Sequence, residues 1–238
     1  MSLTILLRSP DGIVMAADSR VTEGYTLQGP KTKDDSVKFI RLSDDFGVMT
    51  HGLYDIGTDG INALKEKVGG SGNGISSLAE LIGNAKKIFA EVNNEWSVKN
   101  PEVKRRDKDT GFIIGGFDRR EAAFKVYNFE SPEFAPKPVA GNFFIAGQWQ
   151  IARFLLMKLN GGKKNINSLK KLSAVLLTAT ASVDKTVGGP MRIASITASE
   201  GFRWVDDEEM KKLADFNASF RRVFQETLEA SLNAVSKN

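Results

Sequence analysis

The chain has no cysteine and one histidine, His51, in 238 residues. The first absence rules out a thiol nucleophile and any disulfide, and together they leave a Cys/His zinc site without its usual ligands. A cysteine-free chain is compatible with the reducing cytoplasm, which is the localisation expected here. No stretch is apolar for long enough to span a bilayer, and the opening residues lack a charged region followed by an apolar one, so neither a membrane span nor a secretory leader is expected. Low-complexity tracts, linkers and clean internal repeats are missing too. Charge of one sign is scarce: 33 Lys and Arg face 29 Asp and Glu, a net +4 with a pI near 9.2. That excess is too small to imply a nucleic-acid partner. The densest basic run, Lys104-Arg105-Arg106-Asp107-Lys108, follows Asn100-Pro101 and reads as a solvated loop, and Arg119-Arg120 falls at a hairpin turn. The acidic runs Asp34-Asp35, Asp44-Asp45 and Asp206-Asp207-Glu208-Glu209 read as turns or helix starts, so no metal and no other cofactor is expected.

What is present is enough apolar residue, 41%, for one domain over 1–238 with a substantial core. Strands are predicted at 3–8, 12–17, 36–42 and 46–51, then helices at 54–68 and 76–97 separated by Gly69-Gly70-Ser71-Gly72-Asn73-Gly74. In the second helix Leu78, Leu81, Ile82, Ala85, Ile88, Phe89 and Val92 form an apolar stripe that must be buried. Further strands are predicted at 110–117, 121–129 and 140–146, helices at 148–160 and 167–180, and strands at 190–198 and 201–205. Strands and helices in blocks imply an α+β fold of antiparallel sheets with helices outside. A last helix covers 206 to about 236, with Asp206 as N-cap and Met210, Leu213, Phe220, Phe224, Leu228, Leu232 and Val235 along one side. Two readings of that stripe carry equal weight: packing on its own domain, or a subunit contact.

The opening carries the chemistry. Ser2 begins a strand, Ser2-Leu3-Thr4-Ile5-Leu6-Leu7; the turn Ser9-Pro10-Asp11-Gly12 follows, and a second strand leads into Ala16-Ala17-Asp18-Ser19-Arg20. Removal of Met1 would leave Ser2 with a hydroxyl and its own free amine. A hydroxyl needs a base within hydrogen-bond reach, and an α-amine titrates near neutrality, so one residue supplies both. His51 invites a Ser-His-Asp triad with Ser19 or Ser36, but beside a strand-end glycine it reads as a packing residue.

This layout resembles the catalytic β-type subunits of the proteasome family, N-terminal nucleophile hydrolases whose mature chain opens with Thr, turns at Asp-Gly and reaches Ala-Ala-Asp-Ser-Arg. Ser2 stands where the family has Thr, which keeps the hydroxyl and drops the methyl that stiffens χ1. The resemblance implies a four-layer αββα sandwich: two antiparallel sheets between helical layers. It implies Asp18 and Lys38 as the catalytic acid and lysine, Gly52 as the oxyanion donor, and Asp184 as a late active-site aspartate. Arg20 takes a supporting position. Thr50 and Tyr54 would line the specificity pocket, and Thr22 would clamp an extended peptide. Lys31 and Lys33 compete with Lys38, which is preferred because a charge inside an apolar strand requires a partner, here Asp18. Gln148 and Val187 replace two family serines.

The activity implied is hydrolysis of peptide bonds in unfolded polypeptides or peptides, inside a homo-oligomeric ring or spiral. An ATPase or other regulatory partner is left unidentified, and neither nucleic acid nor membrane is a partner. Two other classes stay open: an amide-bond transferase or ligase on the same scaffold, and a non-catalytic ring subunit. Against the latter, the family's non-catalytic α-type subunits have an extra N-terminal segment that does not precede the first strand here.

Overall fold

Strand β1 (Leu3–Ser9) sends Leu3, Ile5 and Leu7 to one side and Leu6 to the other, while β2 (Gly12–Ala17) sends Val14 and Ala16 one way and Ile13, Met15 and Ala17 the other. Successive side chains leave a strand on opposite faces, so a strand buried on both reads as an unbroken apolar run. This computed structural model describes residues 2–70, 77–103, 109–159, 161–162 and 164–235, with the side chains of 228 and 230–235 left aside. Met1, Ser71 to Gly74 of the predicted separator, the basic run 104–108 and position 236 lie outside the described residues.

The remaining elements are β3 (Val21–Thr26), β4 (Gly29–Lys33), β5 (Phe39–Arg41), β6 (Phe46–Gly52), α1 (Tyr54–Gly70), α2 (Leu78–Lys99), β7 (Thr110–Asp118), β8 (Ala123–Glu130), β9 (Lys137–Pro138), β10 (Phe143–Gly147), α3 (Trp149–Leu159), α4 (Ile166–Val183), β11 (Arg192–Thr197), β12 (Gly201–Trp204) and α5 (Asp207–Val235). The first sheet runs β10-β1-β2-β11-β12 and the second β5-β6-β7-β8-β9, every neighbour antiparallel. Leu6, Ile13, Met15, Phe39, Met49, Ile113, Ile196 and Phe202 fill the space between the sheets. On the far side of the first sheet, Leu3, Ile5 and Ile193 meet Leu156 of α3, Leu172 and Leu176 of α4 and Leu213 of α5. On the far side of the second, Phe112, Ile114 and Phe129 meet Ile61 and Leu64 of α1 and Leu81, Ala85 and Phe89 of α2. The fold is therefore the four-layer αββα sandwich with a long C-terminal helix.

Helix starts follow their side-chain caps. Ser77 accepts from Glu80 N (3.2 Å), Asn165 from Ser168 N (2.9 Å) and Asp206 from Glu209 N (2.8 Å), each satisfying a backbone donor that the helix leaves open.

Two expectations are corrected. The segment 22–35, where no strand is predicted, forms most of the β3–β4 hairpin, a two-stranded sheet outside the sandwich. Its residues are exposed or half-buried on both sides, so it carries no apolar alternation to announce it. The strand predicted at 36–42 shortens to β5, because the Ser36 N–H and hydroxyl both go to Ser19 O (3.0 and 2.7 Å) instead of to a ladder. Lys38 thus sits one residue ahead of β5, its carbonyl still taking the Thr50 N–H at 2.8 Å. Helix α5 divides along its length: Leu213 is buried on its own domain, whereas Phe224 is 62% exposed.

Candidate active site

Asp18 follows β2 immediately and is 2% exposed. Its Oδ1 accepts Leu3 N at 2.9 Å and Lys38 Nζ at 2.5 Å; its Oδ2 accepts Gly188 N at 3.0 Å and Arg20 N at 3.2 Å. Four donors on two oxygens compensate a carboxylate taken out of water, as a buried charge demands. Lys38, 3% exposed, also donates to Arg20 O at 2.6 Å. Burial pulls the Lys38 ammonium below the ordinary lysine value, against the charge and hydrogen bond of Asp18, which oppose it.

Ser2 lies beside this pair. It is 8% exposed, and its peptide bond to Leu3 is held at both polar ends: the Leu3 N–H by Asp18, and the Ser2 carbonyl by Gln148 N at 2.8 Å. Gly147 makes the second contact geometrically accessible. Its φ of +83° is a left-handed conformation, and a methyl at its Cα would sit 1.8 Å from Ser2 O. Ser2 opens onto a cleft of about 410 Å³ lined by Thr22 and Lys33 of the hairpin and by Gly52 and Tyr54 where β6 passes into α1. Gly52 has φ +93°, and a methyl there would meet Asp109 O at 2.1 Å.

The other expected residues are placed as follows. Thr22 and Tyr54 line the cleft, with Thr22 Oγ1 buried and without a hydrogen-bond partner among the described residues. Thr50 does not line it: its hydroxyl donates to Gly111 O at 3.2 Å, and its methyl and hydroxyl pack against Gly57. Arg20 turns to Asp34, with Nε to Oδ1 at 2.6 Å and Nη2 to Oδ2 at 2.7 Å, and the hydrogen bond holds the Asp34 carboxyl below the usual range. The competing lysines are surface residues, Lys31 paired to Glu23 at 3.0 Å and Lys33 to Asp35 at 2.8 Å.

His51 takes no part in a triad. Ser19 donates to Pro190 O at 2.8 Å and Ser36 to Ser19 O at 2.7 Å, so both hydroxyls fasten backbone. His51 Nε2 lies 3.6 Å from Glu130 Oε1. Burial raises the Glu130 carboxyl, and the nearby His51 ring together with the hydrogen bond from the Asn128 amide at 2.9 Å outweighs it, leaving a net lowering.

Asp184 caps the end of α4, its N–H bonded to Thr180 O at 2.9 Å. Val187 is fully buried in the core under the first sheet. The residue that sequence reasoning missed is Thr186. Its hydroxyl donates to Asp184 Oδ1 at 2.6 Å and accepts Gln148 Nε2 at 3.4 Å. A threonine between a lysine and a valine carries no local signal, because its second partner is 38 residues away.

No family model matches the chain, and no curated protein matches it. Solved structures do. A Pseudomonas aeruginosa protein titled as the helical assembly of the Anbu complex superposes with a TM-score of 0.76 at 16% identity, over 96% of each chain. An Anbu protein from Yersinia bercovieri, described as an ancestral β-subunit, gives 0.75 at 12% identity over 95% of this chain and 97% of that one. Anbu from Hyphomicrobium sp. strain MC1 gives 0.70 at 13% identity, again over 95% and 97%. These likenesses establish a shared fold. They also correct the resemblance drawn from sequence: the neighbours are Anbu proteins, distinct from the β-type proteasome subunits. The resemblance rested on the opening motif and on single later positions out to Asp184 and Val187, whereas the structural match runs over nearly the whole chain.

Proposed function

We propose that the protein is a self-associating peptidase whose nucleophile is the Ser2 hydroxyl, freed together with its α-amine by removal of Met1. The observation that carries this reading is the single Asp18 oxygen shared by Lys38 Nζ and the N–H next to Ser2, which places a buried ammonium beside the residue that would bear the amine. A neighbouring cation lowers the pKa of an amine, ordinarily about 7.7–8.0, and so keeps it neutral and basic at physiological pH. The amine takes the hydroxyl proton while Oγ bonds to the scissile carbonyl carbon. The Gly52 N–H stabilises the resulting oxyanion. Collapse breaks the C–N bond, the proton passes to the leaving amine, and an ester on Ser2 remains. Water then attacks the ester, giving its proton to the α-amine, and the acid product leaves as Oγ recovers a proton.

Substrates are unfolded polypeptides or short peptides, entering a cleft of about 410 Å³ beside the hairpin. Self-association is supported by the exposed Phe224 on α5 and by the helical assembly named for the Pseudomonas aeruginosa Anbu structure. Peptide hydrolysis by the Ser2→Ala and Ser2→Thr variants tests the nucleophile. Ser2→Thr, which keeps the hydroxyl, retains activity, and Ser2→Ala loses about a thousandfold or more. Undiminished hydrolysis by Ser2→Ala overturns the proposal.

A further inference from the structure

The segment 184–190, between α4 and β11, reaches the Ser2–Leu3 peptide bond by two arms. Along one, Gly188 N bonds Asp18 Oδ2 at 3.0 Å, and Asp18 Oδ1 holds the Leu3 N–H at 2.9 Å. Along the other, Asp184 holds Thr186, Thr186 meets the Gln148 side chain, and the Gln148 N–H holds the Ser2 carbonyl at 2.8 Å. The first arm ends on the N–H of that peptide bond and the second on its C=O.

Hydrogen-bond bookkeeping fixes the direction of the second arm. Thr186 has one hydroxyl proton, and the short 2.6 Å contact to Asp184 Oδ1 takes it. The same oxygen accepts the Thr186 N–H at 2.8 Å, so backbone and side chain are pinned together. With its proton committed, Thr186 Oγ1 faces Gln148 Nε2 as an acceptor, which sets the orientation of the amide. Thr186 is 6% exposed, so water scarcely competes. The segment is also stiff where it starts: Asp184 N bonds Thr180 O at 2.9 Å and Val187 N bonds Asp184 O at 3.1 Å, continuing the end of α4. Gln148, by contrast, lies in the turn between β10 and α3, just after the left-handed Gly147.

We propose that Thr186 is a positioning residue for Ser2, acting through Gln148. Its hydroxyl, anchored on Asp184, fixes the Gln148 side chain and with it the backbone N–H that orients the Ser2 carbonyl. This inference rests on the reading of Ser2 as the nucleophile. A small displacement of a reacting group costs rate more than binding.

The test compares Thr186→Val, which keeps the shape and removes the hydroxyl, with Thr186→Ser, which keeps the hydroxyl, in the full chain. Two quantities are read: peptide-hydrolysis kinetics, and hydrogen exchange of the Gln148 and Leu3 amides by NMR. Thr186→Val lowers kcat about tenfold with KM within about twofold, and Thr186→Ser stays within about twofold of the wild type in both. Gln148 amide exchange quickens about tenfold in Thr186→Val alone, while Leu3, held through Asp18, stays protected. If Thr186→Val does not fold, Gln148→Met removes the same contact from its other end, with the same kinetic and exchange effects expected. Wild-type kcat in a folded variant, or unchanged Gln148 exchange, overturns the assignment. If the wild type hydrolyses no peptide, the peptidase reading fails and the exchange measurement alone decides the role of Thr186.

Discussion

Lys31 and Lys33 hold Glu23 and Asp35 at the surface with 69% and 60% of their side chains exposed, whereas Lys38 is 3% exposed and bonded to Asp18. An exposed ion pair contributes little, because water and salt screen it. A buried one differs, since deleting one member strands the other's charge. Lys38→Ala is therefore expected to cost about 3–5 kcal/mol in urea unfolding and about a hundredfold or more in peptide hydrolysis, while Lys31→Ala and Lys33→Ala leave both nearly unchanged. Equal losses from all three lysines would remove the distinction. The Asp18–Lys38 pair was legible in sequence because a lysine among apolar residues demands a partner. Thr50 was placed by analogy at the pocket, but its hydroxyl is occupied by Gly111 O. Thr186 was invisible for the opposite reason, its bond with Gln148 joining segments whose proximity only the fold creates.

Among the elements, β1, β2, β6 and β7 were legible because they are central strands, largely buried on both faces and mostly apolar. The β3–β4 hairpin was not, as its two faces are polar and its position depends on tethers at its ends. One tether is the pair Arg20–Asp34, and it has a pH signature. The Asp34 carboxyl is held below the ordinary 3.8 in the folded protein, first by its hydrogen bond to Arg20. Above that value the carboxyl is ionised in both states. As pH falls below it the unfolded chain takes up the proton first, so the contribution of the pair is lost on further acidification. Asp34→Asn should lower stability modestly at neutral pH and flatten the acid limb of a stability-versus-pH curve below about pH 4. An acid limb of unaltered slope would show that the tether does not report there.

The whole molecule has an apolar row that its own sandwich does not cover. On α5 the rings of Phe216, Phe220 and Phe224 follow one another at 6.3 and 6.5 Å, from a half-buried start to Phe224 at 62% exposure, with Val223 beside it at 56%. Of the two readings of this helix in sequence, packing on its own domain holds for Leu213, and the proposed subunit contact would fall on the part where Phe224 faces outward. If the proposed self-association uses that row, Phe224→Glu shifts the particle to smaller species in light scattering coupled to size exclusion, with the fold intact by circular dichroism. An unchanged particle mass would place the contact elsewhere. The branch of the fold was not legible from the opening motif and the scattered later positions, because these concern the surroundings of residue 2 while the structural likeness runs over nearly the whole chain. Whether Ser2 is a nucleophile carrying its own free amine is decided by mass spectrometry of the purified protein before and after treatment with a peptide epoxyketone or β-lactone. An intact mass lacking Met1 and a single covalent adduct that maps to Ser2 are expected; a folded protein that lacks Met1 yet is modified elsewhere, or not at all, would rule Ser2 out as the nucleophile.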